Sequence, residues 1–400
     1  MSDLDVDSFV ENLDSPLAEG EENIFETEEI IVDQKTGRVR QAGTDGVGGE
    51  FIQQFKDRAE QSLYFFSKSF MGRDRLTPAL HKPICDWFSK VPPHRKLLLL
   101  PRDHYKTTIA SQCLPIHLLI QSPEKNIYFP GKDGTDTRIL LACESEQRAS
   151  NHLRWIESRF EGSKYLRALW PHCCWENPRR QSKKWNEQAM LLPRINDYSD
   201  PTIQVKGVGG VITGAHVDAI IKDDLISLEA ANSVIVMQTA IEWHIASRAL
   251  FDHPDFSLEF MIGTRWAVFD LYSYVMDNDP TVSHLIRSIV ENGEPILPDL
   301  FGKETIKRLQ KEFGVLFPLL YMNSASDPEL TDFDPEELRE FEISDSMVVF
   351  SEDERDYLLV EKIKADKIEV PDESLRGQKL TPEVMEKLTS RDRYLRMKAT

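Results

Sequence analysis

The chain has no CxxC pair. Its five cysteines, Cys85, Cys113, Cys143, Cys173 and Cys174, are scattered, which argues against zinc and fits buried thiols of a reducing compartment. No run of about 18 apolar residues is present, so no membrane span is expected. The opening MSDLDVDSFVENLDSP is acidic and lacks the basic-then-apolar order of a secretory leader, which predicts a cytoplasmic protein. No internal repeat is visible. A basic excess is missing too, since the formal net charge is −19 over 400 residues. The acid is concentrated at the ends. Residues 1–50 hold 14 acids against 3 bases and residues 327–400 hold 21 against 12, which leaves the middle near neutrality at +1. Net charge therefore does not exclude DNA contact, because a local basic face is enough to meet phosphates.

An apolar content of 40% is ample for a buried core, and the length predicts one large core with appendages or two domains. Residues 1–50 are acidic, poor in aromatics and end in QAGTDGVGGE, so most of them are expected to be disordered. Order is expected from Phe51, where FIQQFKDRAEQSLYFFSKSF has helical spacing. A second helix is expected over LTPALHKPICDWFSKV, with Thr77 as N-cap and Pro78 in the first position.

Short apolar runs then alternate with helical patterns. KLLLLP, RILLACES, TIQVKGV, VDAIIKD and LEFMIGT read as strands, and the stretch 161–190 between two of them reads as irregular. This order predicts an α/β fold with a mainly parallel central sheet flanked by helices, over residues 51–326. Residues 327–400 read as an acidic linker and helical tail, clearest in DPEELREF and TPEVMEKLTSRDRYLRM.

The residues after each strand carry the functional signal. Arg102, Asp103, His104 and Lys106 follow the first, Glu144 and Ser145 the second, Asp223 and Asp224 another, and Thr264 and Arg265 the last. In open parallel sheets ligands bind at the carboxyl ends of the strands. A phosphate-binding loop needs a strand, a turn, a lysine for the β- and γ-phosphates and a hydroxyl at the helix start for Mg²⁺. Lys106 and Thr107 meet those needs, although Leu100 and Tyr105 stand where glycines are usual. An ordinary β–α turn with a solvated lysine fits the same residues. Asp223 and Asp224 could hold Mg²⁺ and orient a water, or could form an acidic turn before a helix. The pairing of Lys106–Thr107 with Asp223–Asp224 favours the nucleotide reading.

The series PRDHYKTT, LLACESEQRASNHLRWIESRF, ITGAHVDAIIKDDL and MIGTRWAVFDLYS resembles the ATPase domain of tailed-phage large terminase subunits, over roughly residues 75–280. The resemblance implies a RecA-like (ASCE) P-loop NTPase whose divergent Walker A loop often replaces its glycines. It implies hydrolysis of ATP with Mg²⁺ to drive viral double-stranded DNA into a procapsid. Residue by residue, Arg102, Asp103, His104, Tyr105, Lys106, Thr107 and Thr108 would form the nucleotide loop, with Arg102 reaching the γ-phosphate as a catalytic group. Thr107 and Asp223 would hold Mg²⁺, Asp224 would position the hydrolytic water, and Thr264 with Arg265 would couple hydrolysis to motion. His81 and Trp87 would mark the element that packs on adenine, and a core-packing role fits Trp87 equally well. Arg138, Arg154, Arg248 and Arg265 are candidates for an arginine offered to a neighbouring subunit. The relatives' arginine before the Walker B strand is replaced here by Gly214-Ala215-His216.

Implied partners are the DNA, a portal protein, a small terminase subunit and further copies in a ring, five by analogy. The implied location is the host cytoplasm, transiently at the procapsid portal. The family's nuclease half has no counterpart in the sequence after residue 327, where SMVVFSEDERDYLLVEKI is the nearest strand candidate. No nuclease activity is expected of this chain: either a separate chain carries the nuclease half, or this chain is a truncated or split product. Trp175, Arg179, Arg180, Lys183, Lys184 and Trp185 form a basic-aromatic stretch that could meet phosphates or could be a solvated loop. Two further readings stay open: a stand-alone DNA-dependent ATPase of helicase type, and a silent protein that keeps the fold for partner binding.

Overall fold

The computed structural model describes residues 30–32, 39–41, 48–211, 214–231, 233–324, 341–343, 347–352 and 355–361. The chain divides into two compact units, Met1–Ala325 and Ser326–Thr400.

In the first unit, β1 (Ile30–Val32) and β2 (Val39–Gln41) form an antiparallel pair. Two short strands, β11 (Val290–Glu291) and β12 (Glu294–Pro295), form a further antiparallel hairpin, and the remaining pairing builds one eight-stranded sheet. Its strands are β3 (Arg95–Leu99), β4 (Ile139–Cys143), β5 (Trp185–Asn186), β6 (Ala189–Met190), β7 (Ile203–Gly207), β8 (Ala219–Asp223), β9 (Leu258–Gly263) and β10 (Val282–Ile286). The spatial order is β10-β3-β9-β8-β4-β7-β6-β5. The first six are mutually parallel, and the β5–β6 hairpin adds an antiparallel edge. Every residue of β4, β8 and β9 is buried, as expected of parallel strands covered on both faces.

Alternation along the strands sorts side chains between two layers. On one face Leu98, Leu141, Ile221 and Phe260 join a large core with α2 (Pro78–Ser89), α3 (Leu114–Leu119) and α4 (Glu146–Gly162), and α1 (Gly48–Gln61) adds Phe55 and Ala59 to it. On the other face Leu97, Leu99, Ala142 and Met261 pack with α5 (Val234–Ser247) and α6 (Leu271–Asn278). No helix among the described residues is long and apolar enough to cross a membrane.

The helix after β3 starts at Lys106 but widens to π geometry over Thr108–Cys113. Pro115 is the local cause we identify: it has no N–H to donate and its ring crowds the carbonyl of Ser111. Ser145 caps α4 as the sequence predicts, its hydroxyl accepting from Arg148 N–H at 3.4 Å. Thr77 sits at the N-cap of α2, but its side chain makes no capping bond; the His81 ring instead accepts from the Thr77 N–H at 2.8 Å.

Three elements differ from the sequence reading. Helix α1 begins at Gly48, inside the segment expected to lack structure, and the rest of residues 1–47 outside β1 and β2 lies beyond the described residues. The stretch 161–190 holds short helices and the β5–β6 hairpin, whose two-residue strands are too short to show a period. The second unit, expected to be helical, contains an antiparallel sheet of β13 (Phe341–Ile343), β14 (Met347–Glu352) and β15 (Arg355–Glu361). MVVF and YLLV are β-formers, and their pairing overrides the acidic composition. The helices expected over 334–341 and 381–397 lie outside the described residues, apart from Phe341, which opens β13.

A charged cluster lies within the α5 side of the sheet. Lys222 of β8 donates to Glu259 of β9 and to the Nδ1 and carbonyl of His244 at 2.9 and 3.2 Å. Arg248 donates to the other Glu259 oxygen at 2.8 Å and also to Asp279. Burial pulls Lys222 down to about 8, while burial and then the Lys222 charge pull His244 down to about 3, leaving a neutral ring that accepts the lysine proton. Burial alone would raise Glu259, but the charges of Lys222 and Arg248 outweigh it and hold the carboxyl at about 2. Removing one member of such a set leaves an uncompensated buried charge, at a cost of about 3–5 kcal/mol. Glu259→Gln should therefore lower the thermal midpoint by roughly 10 °C. Lys222→Met combined with Glu259→Gln should lower it less than Glu259→Gln alone, as thermal unfolding will show.

Candidate functional site

The carboxyl ends of four neighbouring strands are brought level by their register. Leu99 of β3 pairs with Gly263 of β9, Ile262 of β9 with Asp223 of β8, and Asp223 with Cys143 of β4. The residues that follow, Pro101–Thr108, Thr264, Asp224 and Glu144, consequently form one row along the sheet edge.

The loop after β3 is held in a sharply bent conformation. Asp103 and Tyr105 have φ of +62° and +61°, the left-handed region, which costs a non-glycine residue roughly 1–2 kcal/mol each. Tyr105 thus adopts the backbone conformation that a glycine would supply, and its ring meets His81 edge-on at 5.6 Å. His104 pins the turn from below: its Nδ1 lies 2.7 Å from the Arg102 carbonyl and its ring stacks on Phe301 at 4.6 Å. Burial lowers His104 to about 4, so the ring is neutral, and its side chain is fully buried. Of the loop residues expected to bind nucleotide, His104 therefore faces the core rather than the crevice. Arg102 and Asp103 are exposed, with the Arg102 guanidinium 5.5 Å from the Trp266 ring. Tyr105, Thr107 and Thr108 are half-buried.

Lys106 and Thr107 meet the other strands directly. The Lys106 ammonium donates to Thr264 Oγ1 at 2.7 Å and lies 3.7 Å from Asp224 Oδ2. Thr107 Oγ1 donates to Asp223 Oδ1 at 3.1 Å, and Ser111 Oγ donates to Asp223 Oδ2 at 2.7 Å. Burial, and then the charge of Asp224, push the Asp223 carboxyl above the usual carboxylate range. His152 of α4 approaches Asp223 Oδ2 at 3.5 Å, and burial lowers its pKa, so it stands there as a neutral ring. Asp224 follows the strand with φ of +45°; its N–H donates to the Ile262 carbonyl at 3.0 Å and its Oδ1 is buried without a partner.

Thr264 follows Gly263, whose missing side chain is a packing requirement. A Cβ there would lie 2.1 Å from the ring of Tyr272 on α6. Arg265 is turned inward: it donates to Asp270 at 2.9 Å and to the carbonyls of Ala267 and Val268 at 3.1 and 2.6 Å. Its guanidinium orders the loop before α6, where Asp270 forms a capping box with Ser273. Arg265 thus shapes the Thr264 loop and does not project into the crevice.

The other expected arginines also separate. Arg138 pairs with Asp218 and Asp252 at the amino end of β4, away from the row, and Arg248 belongs to the buried cluster. Arg154 is exposed on α4, 3.9 Å from Glu187. His81 is fully buried, and Trp87 packs beside Lys96, 5.5 Å from its ammonium. In the basic-aromatic stretch Arg179, Arg180, Lys183 and Lys184 are exposed, whereas Trp175 and Trp185 direct their indole N–H groups to the Leu191 carbonyl and Glu161.

Ser111 and His152 were not singled out from the sequence. Ser111 lies one helical turn after Thr107, and that spacing could have shown it. His152 comes from a separate helix and carries no local signal.

No protein-family model matches the chain, and no curated protein does. Among solved structures, the chain is similar to the crystal structure of the HK97 bacteriophage large terminase, at a TM-score of 0.37 and 15% identity. The match covers 69% of this chain and 55% of that one, so the chain spans little more than half of that structure's length.

The packing beneath the row predicts a sharp response to one methyl group. Gly263→Ala should destabilise the fold by about 1–3 kcal/mol through overpacking. Adding Tyr272→Leu should recover much of that loss, a comparison that thermal unfolding can make.

Proposed function

We propose that the chain is an ATP-hydrolysing motor of the large-terminase type, of P-loop NTPase (ASCE) architecture, that drives double-stranded DNA into a procapsid. One observation carries the reading. Lys106 and Thr107, at the start of a helix, are bonded to Thr264 and Asp223 from strands more than 100 residues away. A lysine, a hydroxyl and two carboxylates so gathered at the carboxyl edge of a parallel sheet match the needs of phosphoryl transfer, where catalysis is mainly positioning and charge stabilisation.

In this reading Lys106 exchanges Thr264 for the β- and γ-phosphate oxygens. Thr107 and Asp223 fit a magnesium ion, since they offer a hydroxyl and a carboxylate already in contact. Mg²⁺ takes one or two carboxylates and completes its shell with phosphate and water. No group of three or more histidine, cysteine or acidic side chains able to hold a metal occurs among the described residues. When bound, the ion neutralises charge on the phosphates. Asp224 accepts a hydrogen bond from the attacking water, and Arg102 swings from Trp266 toward the γ-phosphate. Loss of the γ-phosphate returns Lys106 to Thr264, so the Thr264 loop, stiffened by Arg265, registers the state of the nucleotide.

The same reading implies a ring of copies, a portal and a small terminase subunit, working in the host cytoplasm. Arg154 is the candidate for the arginine offered to a neighbour, because it is the exposed member of the four.

Steady-state ATP hydrolysis with and without duplex DNA tests the proposal. Lys106→Ala and Asp224→Asn should each lower turnover by about 10²–10³-fold, the range for losing a preorganised contact to developing charge. Wild-type protein without Mg²⁺-dependent turnover, or variants that keep it, would contradict the proposal.

A further inference from the structure

We infer that Glu144, at the end of β4, is a second water-positioning carboxylate that works with Asp224. The inference rests on the ATPase reading above and adds a residue that reading does not require.

Glu144 stands next to Asp224 in the row. β4 and β8 are parallel neighbours with Cys143 opposite Asp223, and the Glu144 N–H donates to the Asp224 carbonyl at 3.2 Å. Its carboxylate is anchored at both oxygens. Ser227, three residues after Asp224, donates its hydroxyl to Oε1, and Arg148 donates to Oε2 at 3.1 Å. The side chain is 30% exposed, so water reaches it. Arg148 is itself half exposed, and such a surface pair contributes little, so its oxygen exchanges readily for a water.

Asp224 alone is an incomplete device for aiming a water. One of its oxygens faces Lys106, and its side chain is one methylene shorter than glutamate. A single acceptor fixes one O–H of the water and leaves it free to turn about that bond. In-line attack requires the oxygen lone pair to point at phosphorus. Two carboxylates on adjacent strand ends accept both O–H groups and fix that direction. Glu144 has the longer reach.

The bland alternative is a tether, in which Glu144 only holds the segment after β8 through Ser227. Two variants separate these roles. Glu144→Gln keeps an oxygen to accept from Ser227 but removes the charge and one acceptor, whereas Ser227→Ala breaks the tether and leaves the carboxylate.

ATP hydrolysis by the full-length protein should show kcat lowered roughly 10²-fold by Glu144→Gln, with KM for ATP within about threefold of wild type and the thermal midpoint unchanged. Glu144→Asp should recover part of the loss, and Ser227→Ala should stay within about threefold of wild type. A Glu144→Gln enzyme that keeps its kcat, or a Ser227→Ala enzyme that loses as much, overturns the inference. Lys106→Ala identifies which claim has failed. Turnover lowered by Lys106→Ala but indifferent to Glu144→Gln removes Glu144 alone, whereas no wild-type turnover removes the ATPase reading as well.

Discussion

The Asp223 carboxylate is the joint on which this structure depends. It accepts from Thr107 and Ser111, two hydroxyls on successive turns of one helix, and so fixes the loop after β3 against the end of β8. The cost is visible in its own chemistry, because burial and Asp224 both oppose its ionisation. A carboxylate held under such opposition is poorly placed for stability alone and well placed for a cation, which would relieve it. The strain at Asp103, Tyr105 and Asp224 is concentrated at the same edge, as expected where a fold maintains a conformation for use.

Two other constraints keep this edge in order. Gly263 lets Tyr272 pack under the end of β9, and Arg265 clamps the next loop through Asp270 and two carbonyls. Below, the Lys222–Glu259–Arg248 cluster links β8 and β9 to α5, so the strands bearing Asp223 and Thr264 are tied by charge as well as by backbone pairing.

Much of the site was legible in the sequence, because strand ends are marked by abrupt changes from apolar to charged residues. KLLLLP before Arg102 and AIIKD before Asp224 needed no alignment to be found, and the structure brings Lys106, Thr107, Asp223, Asp224 and Thr264 together. What could not be read depended on contacts distant in the chain. His104 looks like a ligand residue in PRDHYKTT, yet Phe301 claims its ring. Arg265 looks like a free cation after Gly263-Thr264, yet Asp270 claims its guanidinium. The edge strand β10 was missed because its alternating, partly exposed pattern is weak. The Asn292-Gly293 turn, with φ of +52° and +80°, was a local hairpin signal that went unused.

The proposed function puts Mg²⁺ and ATP at the edge built by β3, β8 and β9. Amide hydrogen exchange of the whole protein, with and without a non-hydrolysable ATP analogue and Mg²⁺, addresses it most directly. The account predicts slowed exchange over residues 101–108, 223–227 and 263–266, saturating with analogue concentration. Unchanged exchange at those three segments under saturating analogue, or protection confined to other elements, would contradict it.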